Sequence, residues 1–201
     1  KGQGDLEAAI ASYNRALQLK PNYPEAYYNK GITLKEQGKI KEAITSYYTA
    51  LKLKHDYPNA HNSLGNALKE QGDLDAAIAS FNTALQLKQK YPEAHNNLGN
   101  ALQEQGDLDT AIASYNTAIQ LKNNYPEAHF NMGNALQEQG NLDAAIASFK
   151  TALQFKHNYP EAHNNLGNAL QEQDDLDAAV TSFKTALQLK PYYPEAHFLS
   201  L

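Results

Sequence analysis

The chain has no cysteine. That rules out a disulfide framework, a thiol nucleophile and a thiolate metal site. Long apolar runs are also missing: none approaches the roughly 20 residues a membrane-spanning helix needs, and no membrane partner is expected. Positive charge is in the minority, with 17 Lys and Arg against 22 Asp and Glu and a net charge of -5. The lysines are dispersed, many near expected helix ends, whereas nucleic-acid binding draws on clustered cations; no nucleic-acid partner is expected. There is no phosphate-cradling glycine loop. No serine, histidine and acid fall into a nucleophilic arrangement. The sequence therefore reads as a non-enzyme with no catalytic residue, no metal site and no cofactor. It reads as soluble, with the compartment open and the cytoplasm favoured.

What is present is repetition. Of eight prolines, six recur every 34 residues, at Pro24, Pro58, Pro92, Pro126, Pro160 and Pro194, and each follows a tyrosine. A fixed period of this size implies a stack of similar units in place of one globular core. The whole of 1–201 reads as a single array. Complete units run 24–57, 58–91, 92–125, 126–159 and 160–193. Residues 1–23 read as a partial unit, with Gly4 at the place later held by Gly38, Gly72, Gly106 and Gly140. Residues 194–201 read as the start of a further helix.

With the proline counted as position 1, the third unit carries apolar or small residues at Ala94, Leu98, Gly99, Ala101 and Leu102. At about 100° per residue these share one side of a helix. Glu93, Asn96, Asn97, Asn100, Gln103 and Glu104 fall opposite and are expected to face solvent. Proline suits the first helical turn, where its missing N–H has no intrahelical partner. Gly106 ends the helix by taking the left-handed conformation, and Asp107 caps the next. That second helix is expected to bury Leu108, Ala111, Ile112, Tyr115, Ala118, Ile119 and Leu121. In the fifth unit Asp174 replaces the turn glycine.

The pattern resembles the tetratricopeptide repeat (TPR) family along essentially the whole chain. Small Gly31, Gly65, Gly99, Gly133 and Gly167 occupy position 8. Ala43, Ala77, Ala111, Ala145 and Ala179 occupy position 20, with Tyr47, Phe81, Tyr115, Phe149 and Phe183 at position 24. The aromatic is expected to fill the wedge left between units. The family's tryptophan at position 4 is replaced by Tyr27, His61, His95, His129, His163 and His197. The resemblance implies an all-α fold, an α-solenoid of stacked antiparallel helix pairs forming a right-handed superhelix with the first helices lining its inner groove.

Asparagines recur on the polar side of the first helices, at positions 6 and 9. They are Asn29, Asn66, Asn97, Asn100, Asn131, Asn134, Asn165 and Asn168, with Ile32 and Ser63 interrupting. Asparagine is a middling helix former, so its repetition in mid-helix argues for a use. A carboxamide offers donors and an acceptor that match a peptide backbone without reading side chains. The arrangement is similar to the asparagine ladder lining the TPR superhelix of O-GlcNAc transferases. A carboxylate clamp of the kind some TPR domains carry lacks its cations here, because position 2 is mostly glutamate. The position-4 histidines lie on helices spaced roughly 10 Å apart, too far to share one ion. The expected function is a protein–protein interaction scaffold holding other proteins or extended peptides. The alternatives are a substrate-recruiting arm of a larger enzyme, such as a glycosyltransferase, and end-to-end self-association.

Overall fold

The computed structural model describes residues 2–191. These form eleven α-helices, with no strand among the described residues. The helices fall in two compact units, 1–105 and 106–201. The first holds α1 (Gln3–Leu19), α2 (Pro24–Glu36), α3 (Ile40–Leu53), α4 (Pro58–Gln71), α5 (Leu74–Leu87) and α6 (Pro92–Gln105). The second holds α7 (Leu108–Leu121), α8 (Pro126–Glu138), α9 (Leu142–Phe155), α10 (Pro160–Glu172) and α11 (Leu176–Leu189). Within each unit consecutive helices pack on one another as stacked pairs, an all-α solenoid. The expected helix over 194–201 lies outside the described residues.

The turns follow from backbone chemistry. Gly38, Gly72, Gly106 and Gly140 have φ of 75°, 89°, 90° and 81°, and Asp174 takes the same left-handed conformation at 68°. Hydrogen bonds from Lys39 to Leu34 O and from Gly38 to Lys35 O close the first turn at 2.9 Å each. These are the two bonds that satisfy the last carbonyls of a helix before a reversal. Asp175 and Asp174 repeat them to Leu170 O and Gln171 O, at 2.9 and 3.0 Å, so aspartate closes the same turn without glycine. Asp73, Asp107 and Asp175 then accept from backbone N–H groups of Ala76, Thr110 and Ala178 at 3.1–3.2 Å. Gly4 differs from its expected place at a turn: it lies inside α1.

The core is built from a glycine set against an aromatic ring. A Cβ on Gly31, Gly65, Gly133 or Gly167 would sit 2.5–2.6 Å from a ring carbon of Tyr47, Phe81, Phe149 or Phe183. The ring therefore packs closely on the first helix of its own repeat, and Phe149 also joins Leu166 and Ala169 of the following repeat, which agrees with its expected place between repeats. Phe81 and Phe149 are fully buried, and Ala77, Ala84, Ala145 and Ala152 beside them have no exposed surface. Burying one such ring contributes about 1.5–3 kcal/mol. In the second helices only Ala111, Tyr115 and Ala118 of the expected set reach full burial. Leu108, Ile112, Ile119 and Leu121 are half-buried.

The recurrent Tyr-Pro pair gains a physical meaning. Among the described residues, Lys20, Lys54, Lys88, Lys122 and Lys156 each lie over the ring of the tyrosine three residues on. The distances are 4.7 Å for Lys54 and Tyr57, 4.2 Å for Lys88 and Tyr91, and 4.0 Å for Lys156 and Tyr159. Such a cation–π contact is worth about 0.5–1 kcal/mol at an exposed site. Lys54, Lys156 and Lys190 also reach the position-2 carboxylates Glu25, Glu127 and Glu161 at 3.1, 3.5 and 3.7 Å. The inter-repeat loop is thereby held at both ends, by the tyrosine before the proline and the glutamate after it.

Candidate functional site: the polar strip of the first helices

The eight asparagines divide between the units. Asn29 on α2, Asn66 on α4, and Asn97 and Asn100 on α6 belong to the first; Asn131 and Asn134 on α8 and Asn165 and Asn168 on α10 belong to the second. Asn29 is exposed and the other seven are half-buried. Two of them join successive first helices directly. Asn97 Nδ2 donates to Asn62 Oδ1 at 3.1 Å, and Asn165 Nδ2 donates to Asn134 Oδ1 at 2.8 Å. Each unit thus has an amide–amide bridge between successive first helices.

Position 5 corrects the helical-wheel reading. Asn62, Asn96 and Asn164 were expected to face solvent but are 8%, 6% and 4% exposed. A first helix packs against its own second helix, against the second helix of the preceding repeat and, more lightly, against neighbouring first helices, so its buried arc exceeds one stripe. Asn164 donates to Asn165 Oδ1 at 3.2 Å, which orients the strip from beneath. Where position 5 is aromatic, the same space is filled by stacking. Tyr28 lies 5.0 Å from Tyr57 and Phe130 lies 5.0 Å from Tyr159, ring centre to ring centre.

A second set of links was not foreseen. Gln105 Nε2 donates to Asp75 Oδ1 at 2.7 Å, and Gln139 and Gln173 make the same bond to Asp109 and Asp143. The acid in the first turn of each of these second helices thereby fastens the next repeat. Lys35 and Glu70 form an ion pair at 2.8 Å along the same edge of the first helices, and Gln137 donates to Glu172.

The position-4 histidines face the loops. The Nε2 groups of His61 and His95 donate to the carbonyls of His55 and Gln89, each at 3.2 Å. Burial holds the pKa of His61, His129 and His163 below the usual histidine value, against a weaker raising effect of hydrogen bonds to the carbonyls of His55, Asn123 and His157. The nearby His55 imidazole lowers His61 further. His129 Nδ1 is buried without a hydrogen-bond partner, so a proton there would meet neither water nor an acceptor. Among the described residues no three His, Cys, Asp or Glu side chains are grouped to hold a metal ion.

A stability effect follows. These folded-state values lie below the unfolded value of about 6.5, so the unfolded chain binds more protons in the window between them. The stabilisation is fully present above about pH 6.5 and is lost as pH falls through the folded values. The melting temperature is expected to drop between about pH 7.5 and pH 5, a range in which ordinary carboxylates stay ionised. Replacing His61, His129 and His163 together by Phe should flatten that drop. An equally steep fall in the triple variant would place the acid sensitivity elsewhere.

Taken together, these features define a repeat protein of the helical-solenoid class, with a structured polar strip on the first helix of each pair. The chain belongs to the tetratricopeptide repeat family. The TPR repeat profile matches residues 2–38, 33–72, 65–106, 100–140 and 133–174. A second tetratricopeptide repeat profile matches 160–193. No functionally curated protein sequence matches the chain. Among solved structures, the chain is similar to YrrB, a TPR protein with an unusual peptide-binding site. The identity is 22%, over 94% of this chain and 98% of that one, with a TM-score of 0.73. It is similar to a chain of the APC/C hetero-tetramer Cut9–Hcn1 at 20% identity, with a TM-score of 0.84. That match covers 98% of this chain but 39% of that one. MamA matches at 26% identity and a TM-score of 0.73, over 80% of this chain and 94% of MamA. Membership of this family supports a protein–protein interaction scaffold, and the solved structures are alike in fold. No described helix is long and apolar enough to cross a membrane.

Proposed function

We propose that the chain binds extended, unstructured polypeptide along the asparagine strips of its first helices, and that it recognises mainly the backbone. The observation that carries this reading is the hydrogen-bonded setting of the strip. Asn97 and Asn165 are fixed by Asn62 and Asn134, so their side-chain entropy is already spent before a ligand arrives. Each carboxamide has two donors and an acceptor oxygen with two lone pairs, and one bond does not exhaust them. A neighbour described as having an unusual peptide-binding site lends the reading a precedent in the same fold. No catalytic step is assigned to the chain.

The ionic-strength dependence of binding tests it. The probe is a fluorescent, uncharged, unstructured peptide of about 12 residues, roughly 40 Å when extended. Raising salt from about 0.1 to 1 M shortens the Debye length from roughly 10 Å to 3 Å. Binding held by neutral amides should weaken by less than about threefold over that range. A loss of a hundredfold or more would point to an ionic site and overturn the reading.

A further inference from the structure

The asparagine strip of the first unit is interrupted at one place. Ser63 on α4 stands where α6 has Asn97, and Ile32 on α2 stands where α4 has Asn66. The serine is too short to make the bridge that Asn97 makes. Its hydroxyl instead approaches Tyr28 Oη at 3.5 Å. The space left over is a cavity of about 320 Å³ lined by Ile32, Lys35, Glu36, Tyr47, Ser63 and Asn66. That volume lies at the lower end of ligand pockets, which run from about 300 to 1,000 Å³. It has room for one large side chain and not for a helix.

The lining selects the occupant. Ile32 and the ring of Tyr47 form an apolar wall. Ser63, Asn66 and the Tyr47 hydroxyl offer donors and acceptors. Burial pushes the Tyr47 phenol well above its usual pKa, so it stays a neutral donor. Lys35 is engaged by Glu70 at 2.8 Å, so with Glu36 the three charges leave one net negative charge beside the cavity. An anionic side chain would lose its hydration here and meet that charge. A neutral side chain with an aromatic body and a hydroxyl tip meets both walls. Tyr28, already 6.1 Å from Tyr47 between ring centres, extends the aromatic surroundings it would join.

We propose that this cavity takes one tyrosine side chain of the bound polypeptide and so sets the register in which the backbone lies along the strip. The inference rests on the peptide-binding reading above. The asparagines hold any extended chain; the cavity decides which residue lies opposite α2 and α4.

The test uses the chain 1–201 and the same uncharged host peptide carrying Tyr, Phe, Glu or Ala at its centre, read by fluorescence anisotropy. The Tyr peptide is expected to bind about tenfold tighter than the Ala peptide, from ring burial plus a hydrogen bond, and about fivefold tighter than the Phe peptide. Two substitutions restore residues found at the equivalent repeat positions, so the fold has already accommodated them. Ser63→Asn should refill the cavity and cut the Tyr-over-Ala preference to about twofold or less. Tyr47→Phe should remove the Tyr-over-Phe preference. Equal binding of the Tyr and Ala peptides, with both lost when Asn97, Asn100, Asn131, Asn134, Asn165 and Asn168 become Ala, overturns the cavity alone. Binding of both peptides that ignores that replacement, or no binding of any peptide, overturns the backbone reading and the cavity with it. A Tyr preference that survives Ser63→Asn, or a stronger preference for Glu, overturns the assignment of this occupant.

Discussion

Gly133→Ala is expected to lower the stability of the chain by about 1–3 kcal/mol, the usual cost of overpacking a filled core. Helix propensity alone predicts the opposite sign, because alanine in a helix interior is favoured over glycine by about 0.8–1.0 kcal/mol. Packing decides the outcome. The new methyl would lie 2.6 Å from Cε1 and 2.7 Å from Cδ1 of Phe149, against an ordinary carbon–carbon separation of about 3.5–4.0 Å. The ring cannot swing away into water. It has no exposed surface and belongs to a cluster with Leu136, Ala145, Ile146, Leu166 and Ala169. Relief would have to come from separating α8 and α9, which loosens the pair and the repeat stacked on it. Equilibrium denaturation of Gly133→Ala, Phe149→Leu and the double variant measures the coupling. The cycle should return an interaction energy of about 1 kcal/mol or more. Gly4→Ala serves as control, because a Cβ there meets nothing within 4 Å, and no loss is expected. A higher midpoint for Gly133→Ala would show that propensity outweighs the clash, and that the small residue is not required for the approach of the two helices.

The same close approach was only partly legible from sequence. A small residue at position 8 and an aromatic at position 24 recur together, which announces a contact. It does not say whether the ring serves its own repeat or the next. The turns at Gly38, Gly72, Gly106, Gly140 and Asp174 were legible, though not the helical place of Gly4, because a helix reversal makes a local demand on one backbone angle. Position 5 was not. A wheel drawn for a helix with one buried stripe puts Asn62, Asn96 and Asn164 outside, whereas a first helix in a stack is covered from three directions. A signal was available in the alternation at that position. Tyr28 and Phe130 occupy it in two repeats, and a solvent-facing site has no use for phenylalanine. The bonds of Gln105, Gln139 and Gln173 to acids thirty residues earlier depend on the register between neighbouring repeats. No single repeat contains that information. The bonds of Asn97 to Asn62 and of Asn165 to Asn134 depend on that same register and were not legible.

Those supporting amides sharpen what replacing the strip should do. Changing Asn97, Asn100, Asn131, Asn134, Asn165 and Asn168 together to Ala is expected to reduce binding of the uncharged host peptide by at least a hundredfold. A neutral hydrogen bond contributes about 0.5–1.5 kcal/mol net, so one substitution shifts affinity only severalfold while six remove most of it. Helix content should hold or rise slightly, because Ala is the better helix former. Stability should nevertheless fall. Asn62 loses the donor that Asn97 supplies and Asn164 loses the acceptor on Asn165, and both are buried. Each stranded amide costs about 1–3 kcal/mol. Affinities are therefore compared at a temperature where circular dichroism shows both proteins folded. The bonding pattern also predicts an asymmetry among single changes. Asn97→Ala should destabilise the chain more than Asn66→Ala, because only the first strands a buried neighbour. Undiminished peptide binding by the folded six-fold variant would show that the strip is a structural seam between repeats and not a binding surface.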